Sequence, residues 1–292
     1  MKRLIFLLML FIASCGPQVQ VYRETVEPDA QDTAQSGETS VESNFKIVVF
    51  DVGEGDSSLI IAPSGEAALI DTGPSGSWDA RIKPFLDENS NVDLKYLIIT
   101  HGDNDHNGDI AKVPIEPLDV KAGDIIPLGD AEMKVIAKDC EYADGTVSPC
   151  DDTDDNAHSA VLLVEYDGFK YLATGDLPGG GGNPPYETID LETKAAELAG
   201  DIDVLHVGHH GSNTSTNQDL LDITKPEAAI ISVGNKNDYW HPHSSTIERL
   251  LNANVQIFQT ETGWLKNEFD DNVSVMNGNI TIEVHDGTFS IQ

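Results

Sequence analysis

Apolar residues in this chain come in short bursts rather than long stripes. Lys46-Ile-Val-Val-Phe50, Ser58-Leu-Ile-Ile61 and Ala67-Ala-Leu-Ile70 are separated by glycine, proline and serine, which predicts three consecutive strands. Leu94 to Thr100 is a fourth such run. Val161–Tyr166 and Tyr171–Thr174 flank the turn pair Asp167-Gly168, predicting a hairpin. Val204–Val207 and Ala228–Val233 have the continuous apolar character of buried strands. Helical segments are fewer: Asp79–Glu88, Leu191–Leu198 and Ser245–Ala253, the last opened by a Ser-Ser-Thr cap region. Residues 177–186 (LPGGGGNPPY) are too rich in glycine and proline for regular structure and are expected to form a flexible loop. Strands first, then helices and strands in alternation, predict an α/β (α+β) domain over residues 44–292, with two packed sheets and helices outside.

The chain begins differently. Met1-Lys2-Arg3 is a short basic stretch, and Leu4–Ile12 is an apolar run too short to span a bilayer. Ile12-Ala13-Ser14-Cys15 resembles the bacterial lipobox, in which the cysteine receives diacylglycerol and becomes the new N-terminus. Residues 1–14 are therefore expected to be a signal peptide, with Cys15 as the lipidation site and the chain exported and lipid-anchored to the cell envelope. Gly16 gives no argument for inner-membrane retention, so the periplasmic and outer-surface faces both remain open. Residues 15–43 are polar and acidic, a composition that predicts a disordered tether between lipid and domain. In an oxidising compartment the two remaining cysteines, Cys140 and Cys150, are expected to form a disulfide closing an Asp-rich loop; free thiols or metal ligation are the alternative.

Charge narrows the function. The formal net charge is −33, so no basic patch is expected to bind nucleic acid by long-range attraction. Any anionic substrate has to be gripped locally, and metal ions are the obvious local positive charge.

The chemistry concentrates in Thr100-His101-Gly102-Asp103-Asn104-Asp105-His106-Asn107-Gly108. Four potential ligands fall within six residues directly after a buried strand, and imidazole and carboxylate together suit zinc, manganese or iron. This segment resembles the H-x-H-x-D-H motif of metallo-β-lactamase-fold hydrolases, with Asp103 where the second histidine usually stands. The resemblance implies the αββα four-layer sandwich and two divalent metal ions. His101 and Asp103 would serve one metal, and Asp105 and His106 the other. The aspartate at 103 leans away from strict zinc, towards manganese or mixed occupancy. The same resemblance makes Asp71 of Ala67-Ala-Leu-Ile-Asp71-Thr-Gly73 an orienting residue behind the site. It makes His158 the third histidine and Asp176, eighteen residues on, the bridging aspartate. His241 of Trp240-His241-Pro242-His243 is the preferred last ligand, with His243 contacting substrate.

Three further segments are similar to the hydrolase domain of ComEC competence proteins: Phe50-Asp51-Val52-Gly53-Glu54-Gly55-Asp56-Ser57, Val207-Gly208-His209-His210-Gly211-Ser212, and His-Pro-His. Glu54 replaces that subfamily's glutamine. The likeness runs from residue 45 to about 285 and implies a phosphodiesterase or nuclease, with DNA as the leading substrate. In that reading Asp105 or Asp176 orients a metal-activated water, and His210 protonates the leaving alkoxide. His209 and Ser212 would support substrate from beside the metals. The alternatives are lactone, β-lactam or thioester hydrolysis on the same fold, and a lipoprotein that binds without catalysis.

Overall fold

A computed structural model describes residues 19–21, 44–150, 153–182, 187–264 and 271–292. The first sheet has seven strands in the spatial order Val19–Val21, Thr288–Ile291, Ile280–His285, Phe45–Val49, Ser58–Ile61, Glu66–Ile70 and Asp93–Ile98. The second has nine. Its main path runs Val273–Val275, Gln256–Gln259, Ala228–Ile231, Val204–His206, Phe169–Ala173, Val161–Tyr166, Ala131–Lys138 and Ile125–Leu128, with Glu141–Tyr142 beside Ala131–Lys138. The Val161–Tyr166 and Phe169–Ala173 hairpin turns through Asp167 and Gly168, both at positive φ. That is the backbone hand a tight two-residue turn needs.

Three apolar clusters define the layers. Ile47, Ile60, Ile70 and Ile98 of the first sheet face Val135, Leu162, Tyr171, Val204, Ile230 and Phe258 of the second. The outer face of the first sheet packs Leu59, Leu69 and Leu97 against Trp78 and Ile82 of the turn-and-helix Trp78–Glu88. The outer face of the second packs Leu172, Leu205 and Ile257 under helices Glu192–Ala199, Gln218–Thr224 and Ser244–Asn252. The order helix, sheet, sheet, helix is the αββα sandwich.

Parallel pairing sets the site. Glu66–Ile70 runs parallel to Asp93–Ile98, and Phe169–Ala173, Val204–His206 and Ala228–Ile231 run parallel to one another. Asp71, His101, Asp176, His209, His210 and the 232–243 loop therefore all leave from C-terminal strand ends, at one edge of the sandwich.

Two expectations are corrected. Val19–Val21, inside the stretch expected to be a disordered tether, pairs antiparallel with Thr288–Ile291 and extends the first sheet. Gly179–Gly181, inside the expected irregular loop, pairs with Thr188–Asp190 as a small two-stranded sheet. Gly181 is usable there because the Asn213 carbonyl lies 2.8 Å from where a Cβ would stand. Cys140 and Cys150 are joined, with Cα atoms 5.8 Å apart. Cys15 and the signal-peptide stretch lie outside the described residues. Among the described residues no helix is long and apolar enough to cross a membrane.

Candidate metal centre

The centre is built outward from Asp71. At φ 61° this residue turns its carboxylate back under the neighbouring strand end. Oδ1 accepts the Thr100 backbone N–H at 2.7 Å, and Oδ2 accepts the Thr100 hydroxyl at 2.7 Å and the Nδ1–H of His106 at 2.8 Å. A carboxylate on Nδ1 fixes the tautomer, leaving Nε2 with its lone pair toward the site. Residues Asn104–Asn107 form one helical turn that carries Asp105 and His106 inward together.

Asp176 arrives from the opposite sheet. Gly175 can adopt its φ of 52° and let the strands close, because a Cβ there would stand 3.0 Å from Thr100 Cβ. The Asp176 N–H donates to Ser159 Oγ at 3.1 Å, which holds the turn. Four imidazoles surround its carboxylate: His106 Nε2 at 3.3 Å, His209 Nε2 at 3.6 Å, His210 Nε2 at 3.8 Å and His101 Nε2 at 3.9 Å. Two groups of donor atoms lie within 4.8 Å of one another, His101–His106–Asp176 and Asp105–His106–His210.

His210 is placed differently from the role the sequence suggested. Its Nε2 is 3.3 Å from Asp105 Oδ2, inside a donor group, and its Nδ1 is 3.5 Å from the buried Asp56. His209 and His210 both sit at φ 52°, a left-handed pair of non-glycine residues. Strain of this kind persists where surrounding structure over-determines it. Here it aims two consecutive rings at one aspartate.

His158 is not brought to the centre. It lies in the turn Asp155–His158, before the strand it was expected to begin. Its ring faces Asp139 Oδ1 at 3.2 Å and Cys150 Sγ at 3.8 Å, because the disulfide-closed loop folds against that side. His209, one residue before His210, occupies the space the third histidine was expected to fill. Asp103 is half exposed at the rim, 3.5 Å from His101 Nε2. His241 lines the cleft but belongs to neither donor group; Glu54 Oε1 holds its Nδ1 at 2.7 Å. His243 accepts the Asn213 N–H, and Ser212 bonds Thr214, so both brace the loops instead of entering the cleft.

Glu54 and Asp56 were visible only as parts of a motif. Both stand behind histidines of the far sheet: Glu54 bridges His241 and the Gly234 N–H, and Asp56 lies between His210 and His206. The signal available in the sequence was two carboxylates spaced by one glycine, directly after a buried strand.

The donor set fits a cation. Nε2 of His101 and of His106, Oδ1 of Asp176 and both ring nitrogens of His210 are buried without a hydrogen-bond partner. Leaving so many converging polar atoms unmade is costly unless a ligand satisfies them. Burial pushes the Asp176 carboxyl up, but His209, His106 and His210 outweigh it and hold it well below its usual value. Burial pushes His106 and His210 down, yet Asp176 with Asp71, and Asp176 with Asp56, raise them well above 6.5. Burial leads for His209 too, and there it prevails, to about 4.

The metal-free cluster therefore keeps protons on His106 and His210. Raised imidazoles contribute stability that is fully present below pH 6.5 and is lost as pH rises through their elevated values. Metal-stripped protein is accordingly expected to lose thermal stability on the alkaline side of pH 6.5. Metal binding at pH 7 should release about two protons. Calorimetric titration in two buffers of different ionisation enthalpy measures that number, and a result near zero would contradict the charge arrangement.

The donors open onto a cleft of about 420 Å³ walled by Glu54, Asp103, Asn104, Asp105, Tyr239 and His241. A larger groove of about 550 Å³ beside Lys46, Phe85 and Asn91 holds no comparable donor cluster among the described residues, so chemistry and not size assigns the site.

The sequence pattern of the metallo-beta-lactamase superfamily matches residues 51–116, which include Asp71 and the whole histidine segment. ComE operon protein 3 of Bacillus subtilis is 28% identical over 266 residues, covering 75% of this chain and 32% of that protein. Recombination protein 2 of Haemophilus influenzae is 33% identical over 225 residues, covering 70% and 26%. The chain thus spans a third or less of the length of these relatives. Among solved structures, the metallo-beta-lactamase fold protein YhfI of Bacillus subtilis aligns with a TM-score of 0.46 at 9% identity, covering 74% of this chain and 98% of that one. Residues 51–116 carry the sequence pattern of the metallo-β-lactamase superfamily on an αββα sandwich, and the chain is similar to the ComEC-type competence proteins over one stretch of their length.

Proposed function

We propose that the protein is a phosphodiesterase, with nucleic acid as its leading substrate, that works through two divalent cations, manganese or zinc. The observation that carries this reading is the convergence of His101, His106, His209 and His210 on the single carboxylate of Asp176, with Asp105 in a second donor group that shares His106. A cation pair held there would supply Lewis acidity, activating water and offsetting charge on the phosphoryl oxygens.

The remaining work falls to the chain. Asp71 fixes the ring of His106 from behind through its Nδ1, and Asp56 sets a buried negative charge 3.5 Å behind His210. Asp105, one-third exposed, belongs to a donor group and also lines the cleft, and is placed to orient an attacking water. His210 is committed to the donor set, which leaves His241 to protonate the leaving alkoxide. Its Nδ1 is held by Glu54, and its ring lines the cleft. Among the described residues the walls are carboxylates, an amide and imidazoles, with Tyr239 the one aromatic face, a polar lining that favours a polar ester. The export and lipid anchoring expected from Cys15 would place this activity in the cell envelope.

The test is hydrolysis of bis(p-nitrophenyl) phosphate and of DNA by the protein with manganese, with EDTA, and as His106→Ala. Manganese-dependent cleavage lost in the variant is the expected result. Metal-loaded, folded protein that cleaves nitrocefin but neither phosphodiester would replace this reading with carboxyl-type hydrolysis. Failure to bind metal would leave a binding lipoprotein.

A further inference from the structure

Beside the metal centre stands a feature that the proposed chemistry does not use. Tyr239, Trp240 and Trp264 are 66%, 58% and 54% exposed, and among the described residues they are the large aromatic side chains left open to solvent. All three surround His241. Tyr239 stacks on its ring, with centroids 5.7 Å apart and planes 20° apart, and forms part of the cleft wall. Trp240 precedes it in the chain, and the Trp264 N–H donates to the His241 carbonyl at 2.8 Å. The two indoles tilt against each other at 6.1 Å and 46°. Trp240 holds a φ of 66° that a bulky residue rarely adopts.

The loop is built to hold these rings still. Asn237 spends its side-chain amide on the Gly234 and His241 carbonyls, and its oxygen on the His241 N–H. Asn235 accepts the Gly263 N–H. Gly263 approaches so closely that a Cβ would stand 2.7 Å from the His241 carbonyl. The result is a set of aromatic faces carried on a pinned backbone beside the cleft, with Tyr239 in its wall.

We infer that Trp240, Trp264 and Tyr239 form a base-stacking platform that delivers single-stranded nucleic acid to the metal centre, an inference that rests on the phosphodiesterase reading for the site. Stacking is the mode of binding open to this surface. A net charge of −33 repels a phosphate backbone, so affinity cannot come from a basic groove. A flat π face attracts any base regardless of sequence. A duplex hides its base faces, so the occupant is a single strand.

The protein carries its own reporter, since its third tryptophan, Trp78, is buried. Full-length protein in EDTA, which prevents cleavage, is titrated with a dT20 oligonucleotide while tryptophan emission is followed. Expected are quenching by dT20 and little quenching by the matching blunt duplex; for the variants, which lose the reporting rings, affinity is read from the anisotropy of a dye-labelled dT20, and binding weakened roughly 5- to 100-fold is expected on Trp240→Ala/Trp264→Ala. Binding should strengthen as salt rises, the reverse of a basic groove. Trp240→Tyr/Trp264→Tyr keeps stacking faces and should restore most of the affinity, which separates stacking from misfolding. Quenching by a chitin hexasaccharide and not by dT20 would reassign the platform to carbohydrate. Equal binding of duplex and single strand, or unchanged dT20 affinity in the alanine variant, would overturn the inference. Because no metal is present, quenching without phosphodiester cleavage in the loaded enzyme would sink the phosphodiesterase reading and spare the platform. Cleavage without quenching would do the opposite.

Discussion

Asp176→Asn is expected to lower metal-dependent phosphodiester hydrolysis by a factor on the order of a thousand or more while the fold survives. The size follows from several kcal/mol of transition-state charge stabilisation lost with the metal site, at ~1.4 kcal/mol per tenfold. Among the described residues Asp176 is the one carboxylate within 4 Å of all four of His101, His106, His209 and His210. An amide has nearly the same shape but no charge, and its NH₂ would meet ring nitrogens that themselves need a partner. The metal-free protein should report the change independently. His106 and His210 each lose the carboxylate that most raises them, so the variant should be destabilised most below pH 6.5, where these rings are protonated. The checks are kcat/KM, bound metal per chain and melting temperature at pH 6 and pH 9. Full metal content and near-normal kcat/KM would remove Asp176 from the centre.

The sandwich was legible through its central strands, which are buried on both faces and read as unbroken apolar runs, from Lys46-Ile-Val-Val-Phe50 to Ala228–Val233. Asp71, His101, Asp105, His106 and Asp176 were legible because each follows such a run directly, and parallel neighbours bring strand ends together. His158 misled for the same reason. Its spacing to Asp176 matches, but spacing says nothing of which way a turn residue points, and a short helical turn takes its ring toward Asp139. The pair His209–His210 was found, yet its division of labour depends on two left-handed backbone positions that no pattern of residue types announces. Glu54 and Asp56 act across the whole sandwich, on His241 and His210, 187 and 154 positions later, and only the folded topology shows that. The paired edge strand Val19–Val21 had no signal either. Three residues within a polar acidic stretch carry too little pattern, and their partner lies at the far end of the chain.

His241→Ala is expected to reduce kcat by ~10²–10⁴-fold while leaving both metals bound, the range for removal of a general acid. The distinction matters because the sequence made His241 a ligand, whereas the structure leaves it outside both donor groups with Nδ1 held by Glu54. A ligand and a proton donor answer different measurements. Loss of a ligand lowers metal content and is compensated by excess manganese, whereas loss of a proton donor lowers kcat at saturating metal. The leaving group sharpens the split. A p-nitrophenolate leaves without a proton, so bis(p-nitrophenyl) phosphate should be far less affected than DNA, whose leaving alkoxide needs one. Glu54→Gln belongs beside it. Glutamine stands at this place in the ComEC-type motif, and its carbonyl oxygen can still accept the His241 Nδ1–H. The ring should therefore stay in place, and activity on DNA should fall far less than in the alanine variant. If His241→Ala instead loses one metal equivalent and impairs both substrates alike, His241 is a ligand, and leaving-group protonation must come from another group in the cleft.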